Sequence, residues 1–390
     1  MQPIPLSRPD ISEADIEAVV SVLRTPQLSL GPRVPAFEEA LCAYTGARHA
    51  TAVSSGTAAL HLAVHALGIG PGDEVITTPF SFVASANCVL FERATPVFVD
   101  IDPATLNIDP GAIEAAITPR TKAILPVHVF GVPADMDAIQ AIANRHALLV
   151  IEDACEALGG RWRGRACGSI GMAGTFAFYP NKQMTTGEGG AVLTNDETLD
   201  ALMKSLRNQG RESLGWLHHE RLGFNYRLSD INCALGLSQL ARIEEFLAAR
   251  RRVAELYCQQ LAEIDEIELP ISRLANADVS WFVFVIRLRH ATSGQRVAFM
   301  EYLRMHGVAC ANYFEPIHLQ PYFRRMGYNP GDFPVSEGVS ERTVALPFFN
   351  RLEPDDVTRV VNTVRQALDA TAQSRDRSVG RPALQASIDK

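Results

Sequence analysis

Five short apolar runs, each followed by a stretch with helical spacing, constrain this chain more than any other feature. The runs are "HATAVS", "DEVITTP", "TPVFVDID", "KAILPVHVFG" and "ALLVIED", and the segments between them include "AALHLAVHALGIG", "FSFVASANCVLFE", "AIEAAI" and "MDAIQAIANRH". Strands that are apolar on both faces must be covered on both faces, and amphipathic helices returning between them supply the cover. The pattern predicts an α/β fold with a largely parallel sheet. Two further strand-like runs, Thr175–Tyr179 and Ala191–Thr194, enclose a turn rich in Thr and Gly that carries one cation, Lys182.

From Asp230 the texture changes to a long helical pattern, "DINCALGLSQLARIEEFLAARRRVAELYCQQLAEI", with apolar residues three and four apart. Its arginines, Arg242 and Arg250 to Arg252, read as a solvated helix face or part of a dimer surface. Beyond Pro270, "VSWFVFVIRL", "QRVAFMEYLRMHGV", "ERTVALPFF" and "PDDVTRVVNTVRQAL" form a smaller α+β unit. A chain of 390 residues is long for one core. We therefore expect a large domain over 1–250, a small C-terminal domain over 251–368, and a polar, mobile tail over 369–390.

Composition narrows the function classes. The net charge of −8 argues against a nucleic-acid binder, which relies on clustered Lys and Arg. Seven scattered cysteines with no CxxC fit reduced thiols rather than a disulfide frame or a zinc site. The N-terminus carries acids where a signal peptide needs an apolar core. No apolar run approaches the roughly 20 residues that span a bilayer. The expectation is a cytoplasmic protein with neither membrane nor nucleic-acid partners.

Ligands of an open parallel sheet lie beyond the carboxyl ends of its strands, and three segments place polar groups there. In "VSSGTAAL" a strand ends, a serine caps, and Gly56 and Thr57 open a helix whose free amides attract phosphate; an ordinary capped helix has the same signature. In "LLVIEDACEALG" a buried strand ends in Glu152 and Asp153, with Glu156 one turn on. A carboxylate there serves equally well as a helix cap or as partner to a cationic ring nitrogen. Lys182 is the third, and an exposed loop lysine is the ordinary alternative. A lysine shielded from water has its ammonium disfavoured, and the neutral amine forms a Schiff base with an aldehyde. Phosphate cradle, ring carboxylate and Schiff-base lysine together describe pyridoxal 5'-phosphate (PLP).

The chain resembles the DegT-type (StrS/DnrJ-like) sugar aminotransferases, PLP enzymes of the aspartate aminotransferase fold (fold type I). The likeness runs from about Pro5 to Leu368 and rests on "LGPRVPAFEEAL", "VSSGTAALHLA", "GDEVITTPFSFVASANCV", "ATPVFVDID", "IEDACEALG", "FYPNKQMTTGEGG", "LGFNYRLSDINCALGLSQL" and "PIHLQPYF". The resemblance implies that the 1–250 domain binds PLP, that Lys182 forms the internal aldimine and shuttles the proton, and that Asp153 keeps the pyridine nitrogen protonated. Phe82 takes the position that stacks on the cofactor ring, and Gly56, Thr57 and Ala58 the position that binds its phosphate. Asn225 matches a residue lent to the phosphate of the partner subunit, which implies a homodimer with shared active sites. His318 falls in a segment that tends to line the sugar pocket, or it is a packed loop histidine.

Two positions depart from the family's commonest pattern. Ala177 stands where many relatives carry a phosphate-binding Ser, and Glu156 where Gln or His is frequent near the ring hydroxyl. The implied reaction is ping-pong amination of a keto group, at C3 or C4 of a nucleotide-linked sugar, with L-glutamate as donor. Rival readings are a PLP-binding regulator without turnover and an enzyme that aminates a cyclitol or another ketone. His218 and His219 lack further ligands at useful spacing, so no metal is expected.

Overall fold

The computed structural model describes residues 2–212 and 217–379. All five apolar runs become strands: β1 (His49–Val53), β2 (Glu74–Thr77), β3 (Thr95–Phe98), β4 (Thr121–Ile124) and β5 (Leu149–Asp153). The two runs around Lys182 become β6 (Ala173–Ala177) and β7 (Gly190–Thr194). β6 thus ends two residues before the sequence pattern does, which leaves Phe178 to Gly189 to the turn. The strands form one sheet in the order β1-β7-β6-β5-β4-β2-β3. β7 runs antiparallel to both its neighbours, and the other pairings are parallel. Every strand except β7 therefore ends on the same edge, and β7 begins there. That edge gathers the groups that matter for function.

Helices cover both faces for the reason the sequence suggests. Helix Met136–His146 buries Met136, Ile139, Ile142 and Ala143, one stripe at helical spacing. Asp135 caps it by accepting from the Ala138 amide at 3.0 Å. Helix Gly56–Ala66 lies deeper and buries eight of its residues, among them Leu60 and Leu62.

A second sheet comprises β8 (Ile267–Glu268), β9 (Phe284–Leu288) and β10 (Thr343–Leu346), paired antiparallel in that order. Its core holds Tyr257, Phe284, Phe299 and Val360. Helix Ile243–Leu261 serves both cores, with Ile243 and Phe246 under the large sheet and Val253, Tyr257 and Leu261 in the small one. Ile4, near the N-terminus, also packs in the small core and bridges to Val308.

Two features differ from the sequence pattern. The long helical run from Asp230 is two helices, Asp230–Leu240 and Ile243–Leu261. At the break, Gln239 and Arg242 reach the buried Asp15 carboxylate at 2.9 and 2.7 Å, a tertiary contact that periodicity cannot register. The last helix, Pro354–Val379, continues beyond Asp369. The segment "ATAQSRDRSV" contains no helix breaker before Gly380, so propensity carries the helix through its polar stretch. The remainder of the expected tail, 380–390, lies outside the described residues.

Candidate active site

At the carboxyl edge of the large sheet lies a cavity of about 360 Å³. Gly56 and Thr57, Ser81 and Phe82, Asp153, Glu156 and Lys182 all border it. Residues more than a hundred positions apart meet here because their strands end together.

After β1 the chain turns through Ser54 and Ser55 into helix Gly56–Ala66. The first amides of a helix have no intrahelical partner. Ser55 Oγ accepts from the Ala58 amide at 3.0 Å, so that donor is already occupied. Of the three residues expected at a phosphate cradle, Gly56 and Thr57 border the cavity, while the Ala58 amide is bonded to Ser55. Gly56 is required sterically: a Cβ there would lie 2.6 Å from Ala177 Cβ and 3.1 Å from Cys155 Sγ. The small Ala177 and the bare Gly56 thus interlock where β6 passes the helix start.

At the end of β5 the pleat separates two acids. Glu152 faces away from the cavity and is fully buried, accepting from the amides of Gly168, Ile170 and Gly171 and bonded to His128 Nε2 at 3.0 Å. His128 Nδ1 accepts from the Ala134 amide, which puts the ring proton on Nε2. Asp153 faces the cavity. Its Oδ2 accepts from Ser85 Oγ at 2.7 Å and its Oδ1 from the Cys155 amide at 3.1 Å. Ser85, itself 2.8 Å from Ser81 Oγ, went unnoticed in the sequence, although its four-residue spacing from Ser81 at a helix start was the available signal. The Phe82 side chain stands 61% exposed at the cavity mouth.

Lys182 sits in the turn between β6 and β7, its amide donating to the Tyr179 carbonyl at 2.9 Å. Its side chain is only 14% exposed. Nζ lies 3.9 Å from the centre of the Phe282 ring and 3.7 Å from Glu156 Oε1. Glu156 Oε2 accepts from the Phe130 amide at 2.9 Å. Burial pushes the Glu156 carboxyl above its ordinary range, while the Lys182 charge and the Phe130 amide pull it back. Tyr313 borders the same space, its phenol raised by burial and then by the nearby Glu156 charge. Asn181 Oδ1, on the loop beside Lys182, is buried and has no partner among the described residues.

These groups fit PLP on the chemistry of the donor set. The helix start at Gly56 and Thr57, a carboxylate held by two donors, and a shielded amine border one cavity.

Arg250 escaped the sequence reading. It is 2% exposed rather than solvated, and its guanidinium donates to the carbonyls of Lys182 at 2.8 Å and Phe282 at 3.0 Å. Periodicity alone put it with its exposed neighbours Arg251 and Arg252. Two expected site residues are not brought to the cavity. His318 is fully buried, bonded through Nε2 to Glu337 Oε1 at 2.9 Å, and is not among the residues that line the cavity. Asn225 is exposed, on a segment bridged to Asn208. His218 and His219 bond to Glu220 and to the Gln209 carbonyl, and among the described residues no cluster suited to a metal occurs.

The sequence profile of the DegT/DnrJ/EryC1/StrS aminotransferase family matches residues 9–365. GDP-perosamine synthase of Caulobacter vibrioides is 41% identical over 367 residues, which cover 94% of this chain and 98% of that protein. Helicobacter pylori PseC, an aminotransferase involved in the biosynthesis of pseudoaminic acid, superposes with a TM-score of 0.90 at 30% identity, over 95% of this chain and 100% of the other. A Streptococcus pneumoniae chain described as a sugar aminotransferase, Spr1654, in its PMP form, superposes with a TM-score of 0.93 at 26% identity over 96% of this chain and all of that one.

Proposed function

Because the chain belongs to the DegT/DnrJ/EryC1/StrS aminotransferase family and is a PLP-dependent aminotransferase of fold type I, we propose that it moves an amino group from L-glutamate to a keto group, at C3 or C4, of a nucleotide-linked sugar. The single observation that carries this reading is the convergence of Lys182, Asp153 and the Gly56–Thr57 amides on one cavity beyond the strand ends. Membership of a fold alone would not specify the chemistry. Relatives that act in amino-sugar pathways support the acceptor class.

Bound PLP supplies an aldehyde that carries the amino group and a ring that takes up the electron pair left when the donor loses its α-proton. The protein's residues do the rest. Lys182 Nζ would hold the aldehyde and, once free of it, would take the α-proton at one carbon and deliver it at the other. The turn from Phe178 to Gly189 lets the side chain move while the backbone stays fixed. Asp153, held by Ser85 and the Cys155 amide, would keep a proton on the ring nitrogen through a charge-assisted hydrogen bond. Gly56 and Thr57 would hold the phosphate through their amides, and Phe82 would cover the ring face. Glu156, whose carboxyl burial pushes above its ordinary range, faces Lys182 Nζ at 3.7 Å and adds a titratable group to the wall.

The assembly we propose is a homodimer in the cytoplasm, in which exposed Asn225 serves the phosphate site of a second copy. Among the described residues no helix is long and apolar enough to cross a membrane. The test is a glutamate-dependent amination screen over nucleotide-linked 3-keto and 4-keto sugars with a cyclitol ketone alongside. Turnover of one sugar class supports the proposal, and turnover of the cyclitol alone overturns the acceptor assignment. A glutamate-induced loss of the visible cofactor band separates a competent enzyme from a PLP-binding regulator.

A further inference from the structure

A fully buried arginine ordinarily meets a carboxylate, because desolvating an unpaired guanidinium is costly. Arg250 meets none: its hydrogen bonds go to carbonyl oxygens of Lys182 at 2.8 Å, Phe282 at 3.0 Å and Trp281 at 3.5 Å. Its Nε has no partner among the described residues. Burial lowers its pKa to about 10, which leaves it charged at neutral pH. The carbonyls it joins are 68 residues upstream and 31 and 32 downstream, and two of their residues, Lys182 and Phe282, border the cavity.

We propose that Arg250 is a positioning residue for Lys182, its guanidinium tying the lysine backbone to the Trp281–Phe282 segment so that the Nζ atom stays over the Phe282 ring and aimed into the cavity. The surrounding bonds fit that role. Ser280, at the start of the same segment, donates its amide to the Gly131 carbonyl at 2.9 Å and its hydroxyl to the Leu158 carbonyl at 2.5 Å. Gln183, next to the lysine, donates to Ser280 Oγ at 2.9 Å and to the Glu156 carbonyl at 2.6 Å. Gly131 admits no side chain here, since its φ is +85° and a Cβ would lie 1.6 Å from the Ser280 oxygen. Arg250 closes this knot from the helix side, with its Cζ also 5.6 Å from the Phe348 ring of the small core. A lysine whose tip must move needs a base that does not, and the Arg250 contact supplies the fixed point. The planar guanidinium fork holds two carbonyls at fixed angles, whereas a lysine ammonium is a point charge with rotating donors on a shorter stem.

The inference rests on Lys182 being the cofactor-bearing residue, and its test does not depend on which ketone is aminated. Arg250→Met, Arg250→Lys and a packing control on the same helix, Tyr257→Phe, are compared as full-length proteins. Tyr257 is buried and donates to the Pro347 carbonyl at 2.9 Å, away from the lysine. Three readouts apply: melting temperature, the rate at which added PLP becomes fixed to Lys182 by borohydride, and kcat and KM for glutamate. Arg250→Met is expected to slow fixation and kcat about 10²-fold, the scale of a roughly 1 Å misplacement. KM for glutamate should stay within about twofold. Arg250→Lys should recover about tenfold of the loss. Tyr257→Phe should melt lower yet keep both rates. Wild-type fixation in either folded Arg250 variant overturns the proposal, as does an equal slowing in Tyr257→Phe. If Arg250→Met does not fold, Arg250→Lys against Tyr257→Phe decides in the same way. If no ketone in the screen is aminated, the fixation rates still distinguish the variants.

Discussion

Asp153 ends a strand with parallel neighbours on both sides, and two donors hold its carboxylate. Phe82, across the same cavity, is 61% exposed and projects toward a second, more open groove of about 690 Å³. That groove is lined by Phe91, at the end of helix Ala84–Phe91, and by Tyr322 and Phe323, in the short helix Pro321–Arg324, rather than by strand ends. The inner end of the site is therefore backbone-defined and rigid, while its mouth is aromatic and exposed. Chemistry common to a family belongs at the first, and selection among acceptors belongs at the second.

The largest effects should come from the inner end. Lys182→Ala is expected to lower kcat about 10⁴-fold, the upper range for loss of a positioned acid–base group, with little change in melting temperature. Steady-state rates beside a thermal melt check this, and wild-type rates without added amine would remove Lys182 from the mechanism. Asp153→Ala should cost about 10²–10³-fold in kcat and should also weaken PLP retention on gel filtration. An unchanged cofactor content would show that the carboxylate does not face the ring.

Gly56→Ala sharpens the comparison through sterics. The added Cβ would lie 2.6 Å from Ala177 Cβ, so the helix start must shift. Overpacking of this kind costs about 1–3 kcal/mol. We expect PLP to bind about tenfold more weakly by absorbance titration, since 1.4 kcal/mol is a factor of ten. A wild-type dissociation constant would mean that the phosphate is held elsewhere.

Glu156→Gln tests the polarity of the wall. Burial holds the Glu156 carboxyl above its ordinary range. In the pH window between its unfolded and folded values, the folded protein keeps a proton that the unfolded chain has released. Stability is then highest below the ordinary carboxylate value, declines as pH rises through that window, and levels off above it. Glutamine removes this contribution. Melting curves from about pH 4 to 8 should therefore be flatter for the variant than for the wild type, and parallel curves would contradict the burial argument.

The smallest expected change is His318→Gln. His318 is buried and bonded to Glu337, with its other ring nitrogen unpartnered among the described residues. Losing one such bond should cost about 1–3 kcal/mol of stability and leave KM for the acceptor unchanged. A raised KM with an unchanged melt would return this histidine to the pocket.

What the sequence disclosed follows the same division. The strands, a serine-capped helix start before Gly56 and the turn around Lys182 are local patterns of period and composition, so they can be read without coordinates. Asp153 was legible as an acid at a strand end, but its Ser85 partner required knowing that two strand ends are adjacent. Arg250 was read as solvated because its neighbours are charged, whereas its partners lie in distant segments. The break at Ala241–Arg242 was hidden for a similar reason, since Asp15 supplies the contact. That the Ala58 amide is taken up by the Ser55 cap depends on a rotamer that sequence does not show. His318 carried no local sign of whether its ring turns inward or outward.

Borohydride reduction of the PLP-loaded protein followed by peptide mapping tests the central claim most directly. The chain has only four lysines, at 122, 182, 204 and 390, so the assignment is unambiguous. The cofactor should be recovered on the peptide containing Lys182, with none on the other three and none in Lys182→Ala. Recovery on Lys122, Lys204 or Lys390, or fixation persisting in the variant, would contradict the account.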